Sequence, residues 1–347
     1  MHHPKSSRLR LPRRSALAAL LLAGAVLALP AGSMAQTAKP WVPAKSIDFS
    51  SKHNVLIRND DGTLQPMDKP YYRSKLIAPG TWQIESDGDF SYLIEGDNEA
   101  LAIDTGYGAG NIRDYLQTLT NKPVRYVANT HDHFDHTANN AYFDRAYMSA
   151  KTAEKATIPF PSFAGINFPT DYPHVIVSDG YRFQLGNREI EVLVIPNHTA
   201  GGTAYLDRKQ RIMFIGDEIF DGAQPLNVSV AAFAANMRKL AAHRGEFDRT
   251  AGGPGIFDAA NIDKYLAAAE AVLAGKEGEA PAPRPPGAGP GPGAAPPPGP
   301  NGEVVYLRRM VRAPDRNGGR PIVPNPNIRR MTYQDRAISY DMTKVRD

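Results

Sequence analysis

Three histidines and two aspartates fall within six positions, and the histidines with the second aspartate give the pattern His131-x-His133-x-Asp135-His136. Imidazole and carboxylate at this density form a donor set for zinc or another borderline first-row metal. The chain has nine histidines in all, so a third of them in one short run points to a metal site rather than to a polar loop facing water. There is no cysteine. Disulfides, thiolate ligands and a cysteine nucleophile are thereby excluded, and any metal must be held by His, Asp or Glu together with water. A metal with an open position lowers the pKa of its water towards neutrality, and the resulting hydroxide can attack a carbonyl or phosphorus centre whose oxyanion is stabilised in place. No Gly-x-Ser-x-Gly segment offers a serine nucleophile instead.

Such a run needs an element to aim it. Pro123–Ala128 reads as a short buried strand, and Asn129-Thr130 marks the strand end from which the ligand loop departs. Two later strand ends carry further donors. Val192–Ile195 is followed by Pro196-Asn197-His198-Thr199, and Ile212–Ile215 ends in Gly216-Asp217-Glu218. Earlier strand-like runs at Thr81–Ile84, Phe90–Glu95 and Ala100–Asp104 are separated by Asp87-Gly88 and Gly96-Asp97-Asn98, the pattern of a hairpin meander. Ile112, Tyr115, Leu116 and Leu119 have helical spacing, and a helix is expected to start within Thr137–Phe143. A second strand set covers 175–177, 181–185, 189–195, 203–206 and 212–215, and helices are expected at Ala231–His243 and Ala260–Leu273. Strands then a helix, twice over, predict an α+β fold. Its plan is a four-layer αββα sandwich of two mixed β-sheets with outer helices.

These residues together resemble the metallo-β-lactamase superfamily. The matches are Asp104-Thr105-Gly106, His131-x-His133-x-Asp135-His136, Pro196-Asn197-His198-Thr199 and Gly216-Asp217, in family order over roughly residues 76–275. The resemblance implies two metal positions. It assigns His131, His133 and His198 to the first, Asp135 and His136 to the second, and Asp217 to a bridge between them. It makes Asp104 an orienting residue behind the ligand loop. One element departs from the family. A histidine expected in a Pro-Gly-His-Gly-like loop is missing from Thr250–Gly255, where Gly253 stands in its place. His243 is the only histidine after His198 and lies ten residues early. The first site should bind zinc firmly and the second should be weakened, with iron or manganese as alternative occupants.

The expected function is therefore an exported metallo-hydrolase that uses a metal-bound hydroxide on an ester, thioester, lactone or related carbonyl substrate. Asp135 is the expected catalytic residue, orienting the nucleophile and shuttling its proton. The alternatives are an iron-dependent redox enzyme on the same fold, a β-lactam hydrolase, and a metal-binding protein without catalysis. Asp217 argues against the β-lactamase alternative, because the resemblance would then predict Cys or Ser there.

The remaining sequence sets boundaries. Lys5, Arg8, Arg10, Arg13 and Arg14 precede the apolar run Ala16–Leu29 and then Ser33-Met34-Ala35, the layout of a secretory signal peptide over residues 1–35. A periplasmic or secreted location is expected, and Arg13-Arg14 is compatible with twin-arginine export. The segment carries five basic side chains and no acid, so its removal takes the net charge from +4 to −1. That disfavours a nucleic-acid partner; the expected partner is a small-molecule substrate, with no stable membrane insertion after cleavage. Nothing specifies an oligomeric state. Residues 36–75 read as an N-terminal extension, 76–275 as the catalytic domain, 276–302 as a Pro/Gly-rich linker, and 303–347 as a basic tail or strap. The Phe- and Pro-rich stretch 157–173 is a candidate apolar wall beside the site.

Overall fold

A computed structural model of the chain describes residues 55–58, 61–66, 72–86, 89–106, 111–156, 171–281, 299–302, 304–307 and 325–346. The signal segment 1–35, residues 157–170 of the Phe- and Pro-rich stretch, and residues 282–298 of the linker lie outside the described residues. Two short strands, β1 (Val55–Arg58) and β2 (Leu64–Pro66), pair antiparallel, and β1 also pairs in parallel with β17 (Val304–Leu307).

Alternation along the strands decides which face each one buries. The first large sheet runs in chain order through β3 (Tyr72–Ala78), β4 (Thr81–Ser86), β5 (Asp89–Glu95), β6 (Ala100–Ile103), β7 (Val124–Ala128), β8 (Arg145–Met148) and β9 (His174–Ile176). The second has the order β10 (Arg182–Gln184), β11 (Glu189–Val194), β12 (Thr203–Asp207), β13 (Ile212–Phe214), β15 (Arg249–Gly252) and β16 (Gly255–Asp258). Tyr92, Ile94, Leu101 and Ile103 from the first sheet share one buried cluster with Ile190, Val192, Tyr205, Ile212 and Phe214 from the second. The intervening residues turn outward. Leu93, Ala100 and Ala102 pack with Ile112 and Leu116 of α1 (Ile112–Gln117). Leu193, Ala204, Leu206 and Met213 pack beneath α4 (Val230–Ala242) and α5 (Ala260–Leu273). Both sheets mix parallel and antiparallel pairs, so the fold is the expected four-layer αββα sandwich.

The two sheets are also fastened by charge. Arg188 is buried beside Asp207, and its Nε donates to Asp207 Oδ2 at 3.0 Å. Its Nη1 reaches across to the carbonyls of Gly80 (2.7 Å) and Glu95 (2.9 Å) in the first sheet.

Several regions differ from expectation: β3 begins within the expected extension, β8 is an additional strand, and β15 and β16 run through the stretch expected as a loop. The helix expected within Thr137–Phe143 instead starts earlier, as the single-turn α2 (Phe134–Thr137), and stops. The reason lies in two side chains. Asn139 Nδ2 donates to the Thr105 carbonyl (2.9 Å) and Asn140 Nδ2 to Asn129 Oδ1 (2.9 Å), which commits the segment to other backbone and leaves one 3₁₀ turn at Asn140–Tyr142. A short α3 (Ala150–Ala156) follows β8. The tail forms a hairpin of β18 (Ile328–Tyr333) and β19 (Arg336–Asp341), and β19 pairs in parallel with β14 (Ala223–Pro225). Met331, Ile338 and Tyr340 join the core under α4 and α5. The Lys344 and Val345 carbonyls accept from Val230 N (3.1 Å) and Ala231 N (3.0 Å), donors that the first turn of α4 cannot satisfy itself. Among the described residues, no helix is long and apolar enough to cross a membrane.

Candidate metal centre

β7 ends at Ala128 and the chain turns into the ligand loop. Asp104, just past the end of β6, fixes that loop from behind. Thr130 donates to it twice, from its backbone N to Oδ1 and from its hydroxyl to Oδ2, each at 2.7 Å. His136 Nδ1 lies 2.9 Å from Asp104 Oδ2. A carboxylate only accepts, so His136 donates through Nδ1 and its Nε2 is turned towards the site. Asp104 holds this pose at φ +59°, in the left-handed region that an L-residue adopts at a cost.

His131 and His133 project from the loop, and His198 arrives from the turn after β11. Their ring centroids are 4.6 to 4.9 Å apart, and His198 Nε2 is 2.9 Å from His133 Nδ1. Tetrahedral zinc with bonds of about 2.0–2.1 Å requires nitrogens about 3.3 Å apart, so the three imidazoles are close to the spacing that one ion imposes. The His198 backbone N donates to Glu218 Oε2 at 2.8 Å, and Asn227 Nδ2 donates to the His198 carbonyl at 2.9 Å. Burial pushes the Glu218 carboxyl up to about 8, with the neighbouring Asp217 charge adding to it and the backbone donors opposing.

A second group adjoins the first. Asp135 and His136 sit on α2, and Asp217 sits on the 3₁₀ turn Gly216–Glu218 after β13. Asp217 Oδ2 lies 3.6 Å from His198 Nε2, and its Oδ1 lies 3.6 Å from His136 Nε2. One carboxylate thus faces both groups, each oxygen towards a different one. Gly216 has φ +53°, and a Cβ there would overlap Thr130 Oγ1, so the turn that delivers Asp217 needs glycine.

The second group contains a residue that sequence reasoning missed. Asp89, the first residue of β5, places Oδ2 3.2 Å from His136 Nε2. Ligand atoms of Asp89, Asp135 and His136 lie within 4.8 Å of one another, as do those of His131, His133 and His198, and of His131, His136 and Asp217. His136 Nε2 is buried and makes no hydrogen bond among the described residues, although three carboxylates surround it. Burial works against a charged His136, but the Asp89, Asp104, Asp135 and Asp217 carboxylates outweigh it and raise its pKa well above the ordinary range. Burial raises Asp135 as well, helped by the Asp89 and Asp217 charges against the pull of His136. The cluster therefore calls for positive charge at its centre, and its donors suit a divalent cation.

Gly253 occupies the second group's edge. A Cβ built there would overlap Asp217 Oδ1 and Asp89 Oδ1 and lie 3.0 Å from His136 Cε1. His243 is elsewhere, at the C-terminus of α4, with Nδ1 3.2 Å from Glu246 Oε2.

The profile of the metallo-β-lactamase superfamily matches residues 87–282, more than half of the chain. The chain is 27% identical over 164 residues to the acyl-coenzyme A thioesterase MBLAC2 of Homo sapiens, across 38% of this chain and 58% of that protein. It is 31% identical over 166 residues to the 2,4-dinitroanisole O-demethylase subunit alpha of Nocardioides sp. (strain JS1661), across 44% and 48%. It is 28% identical over 134 residues to the probable polyketide biosynthesis zinc-dependent hydrolase BaeB of Bacillus velezensis, across 38% and 56%. The chain spans about half the length of the curated relatives it matches.

Proposed function

The chain belongs to the metallo-β-lactamase superfamily, and from that premise we propose that it is a metal-dependent hydrolase of ester- or thioester-type carbonyl substrates. The observation that carries this reading is Asp217, set between two donor groups with one oxygen 3.6 Å from His198 and the other 3.6 Å from His136. His131, His133 and His198 form an all-imidazole set of the kind zinc takes, and a relative bears the description zinc-dependent hydrolase. The preference for a thioester rests on the relative described as an acyl-coenzyme A thioesterase.

Cations bound at the two groups would supply Lewis acidity to the substrate carbonyl and acidify a water molecule. The protein's own part is positional and protonic. Asp104 and Thr130 hold the ligand loop rigid, while Glu218 and Asn227 hold His198. Asp135, on α2 within the second group, takes the proton of the attacking water at its carboxylate and returns it to the departing group. Residues 1–35 are proposed to export the chain, which N-terminal sequencing of the secreted protein checks.

The test is elemental analysis of full-length protein purified without added metal, paired with a panel of acyl-coenzyme A thioesters, chromogenic esters, lactones and a cephalosporin. Zinc and ester or thioester turnover are expected, with Asp135→Asn slower by about 10²–10⁴-fold. Tightly bound iron with oxygen uptake, or turnover unaffected by Asp135→Asn, would overturn the reading.

A further inference from the structure

We infer that Asp89 supplies the donor that position 253 lacks, so that the second cation rests on Asp89, Asp135, His136 and Asp217. The inference builds on the metallo-hydrolase reading above. Asp89 is 7% exposed, and its Oδ1 is tied down by the Phe90 backbone N at 2.7 Å. Its Oδ2 points into the second group, 3.2 Å from His136 Nε2. Among the described residues, no Lys or Arg pairs with it. Its ion-pair partner is His136, which Asp135 and Asp217 also face; three carboxylates gathered on one imidazole repel one another, and a divalent cation at this point would offset that repulsion. His136 Nε2, itself buried and without a hydrogen bond, faces the same point.

Gly253 makes the argument specific to this chain. Any side chain at 253 would begin with a Cβ that overlaps Asp89 Oδ1 and Asp217 Oδ1. A histidine at 253 therefore excludes the observed poses of both Asp89 and Asp217. Asp89 with Gly253 completes the second site with a carboxylate in place of an imidazole. The second site then has three carboxylates and one imidazole, a harder and more anionic set than the three imidazoles of the first. Oxygen donors suit manganese better than imidazole does, so the second site should discriminate less against Mn²⁺ than the first.

The experiment uses the full chain, stripped of metal and titrated with Zn²⁺ and with Mn²⁺. Stoichiometry is read by elemental analysis and Mn²⁺ coordination by electron paramagnetic resonance, with circular dichroism of the metal-free proteins confirming the fold. Wild type should hold two cations. Asp89→Asn should hold one, its second affinity weaker by about 100-fold or more, since losing even a supporting partner costs about 10–100-fold. Gly253→His should likewise lose the second cation, because its Cβ displaces both Asp89 and Asp217. Should Asp89→Asn fail to fold, Asp89→Glu, which keeps the carboxylate, should hold two cations while Asp89→Ser, which removes it, should hold one. Two cations bound by Asp89→Asn or Asp89→Ser with unchanged affinities, only one cation in wild type, or two imidazole nitrogens on the second-site Mn²⁺ would each overturn the assignment. Wild type that binds no cation would instead overturn the metallo-hydrolase reading beneath it.

Discussion

Asp104 serves Thr130 through two hydrogen bonds and His136 through a third, from a left-handed backbone. Asn tolerates that backbone, but its amide would point N–H groups at donors. Asp104→Asn should therefore leave the melting temperature of the metal-free protein close to wild type and weaken metal affinity by about 10–100-fold in chelator competition. Asp104→Ala should weaken affinity similarly and also lose about 1–2 kcal/mol of stability, because alanine pays for the positive φ. Glu218 gives a pH signature. Its carboxyl keeps its proton up to about 8 when folded, against 4.5 ordinarily. Between those values the unfolded chain has released a proton that the folded chain still holds, so stability is full below the lower value and falls as pH rises to the upper one. Glu218→Gln should flatten that fall in thermal melts of the metal-free protein across the window. At this scale six of the donor residues that the structure brings together were legible because they cluster in one motif or stand at strand ends. Asp89 was not. A lone aspartate after Asp87-Gly88 has the sequence signature of a turn, and only the tertiary approach of β5 to α2 reveals its other use.

The elements owe their places to alternation, which is why β4 to β7, β9 to β13 and the helices α4 and α5 could be anticipated within a residue or two, while β3, β8, β15 and β16 were not. Where side chains compete with the backbone, period alone misleads, as Asn139 and Asn140 do after α2. The strand β14, Ala-Gln-Pro, has no strand-forming composition at all; it exists because β19 offers it a partner. Between the sheets, Arg188 satisfies two carbonyls of the first while paired with Asp207 in the second. Arg188→Ala leaves Asp207 buried without its counter-charge. A loss of about 3–5 kcal/mol is expected in chemical denaturation, and Arg188→Ala combined with Asp207→Ala should recover part of it.

Across the whole molecule, the tail is continuous with the site. β19 pairs β14, Asn197 Nδ2 donates to the Pro225 carbonyl (3.3 Å), and Asn227 holds the His198 carbonyl. The spacing of Met331, Ile338 and Tyr340 among basic residues hid this in the sequence, since only those few side chains turn inward. Ile338→Ala should cost about 2–5 kcal/mol. Deletion of residues 325–347 should cost more, and should also weaken the first cation's binding in the same titration, while leaving Asp89, Asp135 and His136 in place. The order of synthesis gives that connection a further meaning. All the donor residues lie between positions 89 and 217, so a ribosome has finished them long before it reaches β19. β14, whose Pro225 carbonyl accepts from Asn197, has no β19 partner until residues 336–341 emerge. The surroundings of the imidazole group are therefore complete only once β19 has been made.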